Sequence, residues 1–540
     1  MKPRYGKSSW DNSSWRHWIL APAIVIALTC QAAEPSRSAD AVDKSTAPVS
    51  VSAAPAVAPE PALDKLAITH HSMRLGDAEL SYVATAGYMP IPDRSGKVQA
   101  KVFFVAYVKE PSADASLRPI TFAFNGGPGA SSVFLHVGAL GPKRALLAAD
   151  GTALPASTRL VDNQWTWLDV TDLVFVDPVG TGYSASAEGV DARQFYDVSK
   201  DVQIASAFVR HYVTRFGRWL SPKFVVGESY GTARAAGLAD RLQNTAGINL
   251  SGLLLLSSAL NSGTFAFRSG NDLPYALALP SYTAVAWYHK KLGASLQASL
   301  SDALQQAEQW ATSEYIVALA KGDRLSAPER ARVVEKISEY TGLSKAYIQA
   351  NQLRVGAAGF EKQLLGDENR IVGRLDGRVK GIDVWPPAEA PHYDPALFVV
   401  TGPFVSALVD YLHNDLRFET QRRYEFLSDE VNQAWKWSSD GPDYLYLGDS
   451  LAAAMSRDPR LRVFAAAGYF DLTTPYLTQK YTFEHLGLDP SLRRNITFVT
   501  YPAGHQMYTD LASLEKLKAD AASFIREVSS PLPAGEAELQ

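Results

Sequence analysis

Residues 227–231 read GESYG, which places Ser229 at the centre of a G-x-S-x-G pentad directly after the apolar residues Phe224, Val225 and Val226. Where a strand turns sharply into a helix, backbone must pass close to backbone. Gly227 and Gly231 flank the serine at the two points where a side chain would clash, and the hydroxyl is left standing above the sheet edge. The chemistry such a serine could do is nucleophilic attack on an acyl carbon. A serine is a weak nucleophile at its own pKa, so an imidazole must take its proton, and a carboxylate must hold that imidazole in the correct tautomer. The last quarter of the chain offers both, each just past an apolar run. Residues 463–467 lead through Gly468, Tyr469 and Phe470 to Asp471, and residues 496–501 lead through Pro502, Ala503 and Gly504 to His505.

The order Ser229, Asp471, His505 is the chain order of α/β-hydrolases, whose reactive residues sit on loops at the carboxyl ends of the strands. Asp489 and Asp510 lie in the same region, and only geometry separates them from Asp471. Among the 10 histidines, His17 falls in the leader. His70, His71, His211, His289, His392, His413 and His485 lack the context of strand, Gly and loop. His136 precedes the serine and reads as a packing or substrate-side residue.

A second glycine loop, NGGPGASS at 125–132, comes directly after the apolar run 120–124. Acyl transfer builds negative charge on the former carbonyl oxygen, and backbone N–H groups fixed towards that charge usually supply the largest catalytic effect. Glycine lets main chain approach the substrate unobstructed. The N–H groups of Gly127 and of Tyr230, the residue after the serine, are therefore the expected oxyanion hole.

NGGPGASS, FVDPVGTGYS at 175–184, GESYG, the Asp471 loop and AGH at 503–505, taken in that order, resemble the serine carboxypeptidases over about 119–505, the middle third least. The resemblance implies cleavage of the C-terminal peptide bond of peptides through an acyl-enzyme, with no metal or cofactor. In that family the free carboxylate of the substrate is held by the loop Asn, the adjacent Gly and two acids, one of them directly before the serine. Asn125, Gly126 and Glu228 match. At the place of the second acid, in GALGP at 138–142, stands Ala139. Two further departures are Ala130 for the cysteine of the glycine loop, and Gln506, Met507 and Tyr508 for the usual Met-Val-Pro after the histidine. A carboxyl group binds a carboxylate only by donating a proton, so burial must raise the pKa of Glu228; with no second acid beside it, desolvation carries most of that shift. The departures keep an esterase or acyltransferase with the same triad as the alternative. A binding protein on an inactive hydrolase scaffold is disfavoured by the presence of serine, histidine and glycine loop together.

The 540 residues exceed one minimal domain and suffice for a catalytic core with a large insertion. A 46% hydrophobic and 11% aromatic composition fits a well-buried globular enzyme. With a net charge of -4 and no long basic tract after the leader, nothing points to nucleic acid as a partner. Lys2, Arg4, Lys7 and Arg16 precede the apolar stretch 19–28, which is too short and too early for a span of roughly 20 residues and reads as an export signal. Ala32 and Ala33 could provide cleavage. Cys30, the only cysteine, closes the apolar stretch where a bacterial lipoprotein is acylated, although Ala27, Leu28 and Thr29 depart from the usual lipobox. Export to the periplasm or medium is the first expectation and a lipid-anchored form the alternative. One cysteine excludes the intrachain disulfides that the resemblance would imply for eukaryotic members.

The predicted organisation is an export signal over 1–33, an Ala, Pro and Ser-rich flexible tether over 34–65, core over 66–261, a helical cap over 262–459, core again over 460–530 and a tail over 531–540. Alternation over 78–86 and 98–108 predicts opening antiparallel strands, and the runs 120–124, 224–226, 253–256, 463–467 and 496–501 predict buried parallel ones. Helical spacing predicts helices over 191–215, from Ser229 onward, and over 511–524. The fold expected is an α/β-hydrolase with a mostly parallel central sheet and a large, mainly helical cap. Trp287, Tyr288, Phe404, Tyr411 and Trp435 in the cap could line pockets, but aromatics at helical spacing read first as core.

Overall fold

The computed structural model describes residues 65–111, 116–148, 159–437 and 444–530. The segments expected to be an export signal with Cys30, a tether up to residue 64 and a C-terminal tail lie outside the described residues. Ten strands form the main sheet: β1 (Ala67–Leu75), β2 (Ala78–Pro92), β3 (Val98–Glu110), β4 (Ile120–Phe124), β5 (Asp172–Val176), β6 (Ala185–Ser186), β7 (Lys223–Glu228), β8 (Gly252–Leu256), β9 (Arg462–Gly468) and β10 (Ile496–Tyr501). Their spatial order is β1-β2-β3-β5-β4-β7-β8-β9-β10, with β6 paired to β3. The first three are antiparallel and β3 meets β5 antiparallel, while every pair from β5 to β10 is parallel.

The continuous apolar runs are explained by burial on both faces. Leu173 and Phe175, Phe224 and Val226, Leu254 and Leu256, and Phe464 and Ala466 point into one core. Their neighbours Val174, Val176, Val225, Leu253, Leu255, Val463 and Ala465 point into the other. Helix α1 (Val198–Arg215) covers the second face with Phe208, Val209 and Tyr212, beside α2 (Tyr230–Ala246) with Ala233, Ala236 and Leu238. The first face receives Leu514, Leu517, Ala521 and Phe524 of the C-terminal helix Leu511–Ser529.

Helix α1 begins later than the spacing predicts. Asp197 accepts from Lys200 N and caps it, and the preceding Ala192–Phe195 forms a separate 3-10 turn capped by Asp191. An Asx cap satisfies the free N–H groups of the first turn and so fixes where a helix starts. Strand β1 was not expected, because it is an edge strand whose pattern carries exposed His70 beside half-buried His71.

Between β8 and β9 lie residues 257–461. Helices α3 (Leu273–Tyr288), Leu300–Trp310, Ala327–Thr341 and Ala357–Gln363 build a third core around Leu277, Tyr282, Trp310, Tyr315, Ile337 and Phe360. Phe470 and Leu472, which flank Asp471, belong to that same core. Helix α4 (Pro395–Asn414), the one helix among the described residues apolar and long enough to cross a membrane, instead buries Phe404, Leu408 and Tyr411 in the first sheet core. Trp435 joins the second, and Tyr288 stays 45% exposed.

At the end of the sheet away from the glycine loops, Asp172 is fully buried and holds several elements together. It accepts from Arg118 Nε at 2.8 Å, Arg218 Nη1 at 2.7 Å and Lys109 N at 3.1 Å. Removing one partner of a buried charge cluster strands the others. Asp172→Ala is expected to lower stability by about 3–5 kcal/mol, read as a drop in the denaturant midpoint; an unchanged midpoint would show that the cluster does not secure this edge.

Candidate active site

The turn after β7 is as tight as the GESYG pentad demands. A Cβ on Gly227 would lie 2.2 Å from Gly231 O, and one on Gly231 would lie 2.4 Å from Phe124 O. Ser229 takes φ 58° and ψ -127°, a left-handed conformation that side chains rarely adopt, and stands at the N-cap of α2 with its N–H bonded to Leu256 O at 3.0 Å. Strain of this kind persists only where the surroundings enforce it. Ser229 is half-buried while Glu228 and Tyr230 on either side are buried.

Asp471 and His505 are brought together. His505 Nδ1 lies 2.8 Å from Asp471 Oδ2, with the carboxylate completely buried and the imidazole 3% exposed. Thr474 Oγ1 donates to the same oxygen at 2.8 Å, and Thr473 N and Thr474 N donate to Oδ1 at 2.8 and 3.0 Å. The carboxylate therefore has no free side, and the proton it asks of His505 is the one on Nδ1. Burial pulls the His505 pKa down, but the charge and hydrogen bond of Asp471, aided by the Glu228 charge, outweigh it, so the net shift is upward. Asp489 and Asp510 are elsewhere employed: each caps a helix, Asp489 through Ser491 N and Asp510 through Ser513 N.

Among the described residues the Ser229 hydroxyl makes no hydrogen bond, so the serine and His505 Nε2 are not yet joined. The loops that carry them are nonetheless stitched to each other. Ser257, next to the Leu256 carbonyl that receives Ser229 N–H, donates its hydroxyl to His505 O at 2.6 Å. Catalytic hydrogen bonds in a free enzyme are often long and tighten only when substrate arrives.

The glycine loop packs directly on the serine turn. A Cβ on Gly126 would come within 2.5 Å of Tyr230 N and 2.9 Å of Ser229 Cβ. The N–H of Gly127 and that of Tyr230, the first residue of α2, find no acceptor among the described residues, and Gly127 is accessible. Two free donors beside a serine hydroxyl are what an oxyanion requires. Behind them, Arg234 donates to Asn125 O at 2.8 Å and pairs with Asp201 at 2.8 Å, while Tyr230 Oη reaches the same carboxylate at 3.1 Å. This buried ion pair ties the glycine loop to α1 and α2. Asn125 itself is fixed at both ends of its amide: Oδ1 accepts from Leu135 N at 3.0 Å and Nδ2 donates to Glu228 Oε1 at 3.0 Å. Burial raises the Glu228 pKa, against the neighbouring His505, Tyr508 and Asn125, which lower it.

The features that sequence reasoning missed are Thr474, Ser257, Arg234 and, most of all, the segment 373–378. His505 N donates to Leu375 O at 2.6 Å, Leu472 N to Arg374 O at 3.0 Å and Gly377 N to Phe470 O at 2.9 Å, so one segment of the long insertion seats both the histidine and the aspartate loops. Arg378 Nη1 adds a bond to Pro502 O at 2.9 Å. His136 is packed away from the serine, bonded to Tyr107 Oη at 2.7 Å and stacked on Phe175.

A parallel sheet whose serine turn, aspartate loop and histidine loop come after separate strands, in this order, defines an α/β-hydrolase. Residues 76–363, more than half of the chain, match the family model described as serine carboxypeptidase, and the chain belongs to that family. Curated relatives include serine carboxypeptidase-like 26 of Oryza sativa subsp. japonica, 32% identical over 29% of this chain and 30% of the relative. Another is the pheromone-processing carboxypeptidase KEX1 of Cryptococcus gattii, 30% identical over 30% of this chain and 24% of the relative. The matched stretches thus span a third or less of these relatives' lengths. Among solved structures, the prohormone-processing carboxypeptidase Kex1(delta)p of Saccharomyces cerevisiae shares the fold, with a TM-score of 0.51 at 19% identity, covering 83% of this chain and 91% of that one.

An Asp471→Asn variant keeps the shape of the loop but reverses the hydrogen bond that sets the imidazole tautomer. Turnover of acyl substrates is expected to fall about 1,000- to 10,000-fold in steady-state assays, and a loss smaller than tenfold would remove Asp471 from the relay.

Proposed function

We propose that this protein is a serine-type carboxypeptidase that releases the C-terminal residue of peptides through an acyl-enzyme, with Ser229 as nucleophile, His505 as general base and then acid, and Asp471 as the group that orients it. The observation that carries this reading is the hydrogen-bonded Asp471–His505 pair beside a serine turn whose neighbour Glu228 is bonded to Asn125. In the first step Ser229 Oγ attacks the scissile carbonyl as His505 Nε2 accepts its proton. The oxyanion that forms is met by the N–H groups of Gly127 and Tyr230. The imidazolium returns the proton to the departing amine, and water then repeats the attack on the ester. Asn125, Gly126 and protonated Glu228 receive the terminal carboxylate. Family membership supports the same assignment.

A second reading, an esterase or acyltransferase with the same triad, is favoured by Ala139 in the position where a second acid is expected. Comparing an N-blocked dipeptide with its C-terminal amide and a simple ester separates the two, since a carboxylate-reading site rejects the amide. Ser229→Ala is expected to abolish turnover while leaving the far-ultraviolet spectrum intact; retained peptide hydrolysis would refute the nucleophile.

The pH profile is set by two opposed groups. His505 works as base only when neutral, so activity is lost as pH falls through its raised pKa. Glu228 donates to a carboxylate only while protonated, so peptide binding is lost as pH rises through its own raised pKa. Glu228→Gln keeps a donor at high pH, where Glu228 itself would have lost its proton. Its kcat/KM profile on peptides should therefore lose the alkaline decline while keeping the acid limb set by His505, and a profile identical to the parent would remove Glu228 from the site.

We also propose that the chain is exported to the periplasm or medium, on the basic, apolar and small-residue pattern of its first 33 residues. Lipid attachment at Cys30 is the alternative. Feeding cells a fatty-acid analogue distinguishes them: the soluble form carries no label, and label lost in Cys30→Ala would establish the anchor.

A further inference from the structure

We propose that the Tyr508 hydroxyl is a second donor to the substrate's terminal carboxylate, acting where Ala139 has left no acid. The inference rests on the carboxypeptidase reading and extends it to a residue in a segment that departs from the family pattern.

Tyr508 lies in the 3-10 turn Met507–Thr509, just beyond His505, and is 2% exposed. Its ring lies against the backbone next to Ala139: a Cβ added at Gly138 would come within 2.7 Å of Tyr508 Cε2. The turn 507–509 that carries Tyr508 thus packs on the helical turn 136–140 that carries Ala139. The hydroxyl is turned towards Glu228 and Asn125, the two polar side chains already assigned to the carboxylate. Asn125 Nδ2 uses Glu228 Oε1, but Glu228 Oε2 and Tyr508 Oη, both buried, have no hydrogen-bond partner of proper geometry. Buried polar atoms are almost always paired in folded proteins, and two poorly paired ones that face each other at one spot leave hydrogen-bonding capacity for a polar group of the substrate.

The chemistry of the pair selects that group. A phenol has one O–H to give, and burial holds the Tyr508 hydroxyl well above its ordinary pKa, so it remains a donor at any working pH. Protonated Glu228 has another. Two O–H donors with Asn125 behind them match the two oxygens of a carboxylate, whereas an amide presents only one oxygen to accept from them and an NH2 that cannot. An acid in the place of Ala139 would have been a second titrating donor; a phenol removes that titration from the working range and leaves Glu228 as the only carboxyl donor that titrates there.

The test is Tyr508→Phe assayed on paired N-blocked dipeptides and their C-terminal amides, over several C-terminal residues. The acid-to-amide ratio of kcat/KM is expected to fall roughly 10- to 100-fold, the loss of one hydrogen bond to a charged group, and to appear chiefly in KM for the acid. Because the hydroxyl has no well-formed partner in the free protein, the thermal midpoint should stay level or rise, which a residue needed for packing through its hydroxyl would not allow. Calorimetry of an N-acyl amino acid binding to Ser229→Ala, with and without Tyr508→Phe, reads the same loss without turnover. A parent enzyme with no acid preference would sink the carboxypeptidase reading and this inference with it. A preference present in the parent and retained in the Phe variant would overturn the inference alone.

Discussion

A carboxylate buried completely away from the surface is an expensive thing to keep charged, and the site is organised around making that burial tolerable. Each oxygen of Asp471 receives two hydrogen bonds, from Thr473 N and Thr474 N on one side and from Thr474 Oγ1 and His505 Nδ1 on the other. Left unpaired, the ion would cost several kcal/mol. Fully bonded, it dictates the imidazole tautomer, because only a proton on Nδ1 completes the set, and Nε2 is left with a lone pair for the serine proton. Phe470 and Leu472 on either side of the aspartate are buried in the third core, so packing and polarity fix the same loop.

The parallel strands act as a common ruler for everything else. Gly227 of β7 is level with Phe124 of β4, Glu228 with Leu256 of β8, and Gly468 of β9 with Tyr501 of β10. Loops that leave strands at the same height meet, which is how residues far apart in the chain arrive at one spot. Close approach at the tops of these strands is possible only through glycine: Gly126, Gly227 and Gly231 each face backbone atoms at distances no Cβ could share. The helix α2 that begins there presents Tyr230 N with no intrahelical acceptor, as any first-turn N–H must be.

Much of this was legible in the amino-acid order alone, for identifiable reasons. Strands covered on both faces read as unbroken apolar runs, so β4, β7, β8 and β9 announced themselves, edge strand β10 still showed as the largely apolar run 496–501, and the candidate triad residues were marked by their positions in the loops just past three of those runs. Edge strand β1, bearing exposed polar residues, gave no such signal. Nor did the 373–378 segment, because its contribution is mostly backbone: a carbonyl of Leu375 or Arg374 leaves no trace in residue type, and its partners lie about a hundred residues on. Ser257 and Thr474 are small polar residues of a kind that fills every loop, and only their contacts single them out. The helix bounds shifted where capping intervened, as at Asp197. The aromatics of the insertion, read first as core, divide: Phe404, Tyr411 and Trp435 are buried, whereas Tyr288 is half-exposed.

The carbonyl of Leu375 has one more implication. The main-chain amide of His505 hangs from the 373–378 segment, and the amides of Leu472 and Gly377 close the seam. The insertion is thus a structural support of the candidate site, and a minimal version of this protein assembled from the sheet alone would retain Ser229, Asp471 and His505 while losing the backbone bonds that seat the His505 and Asp471 loops.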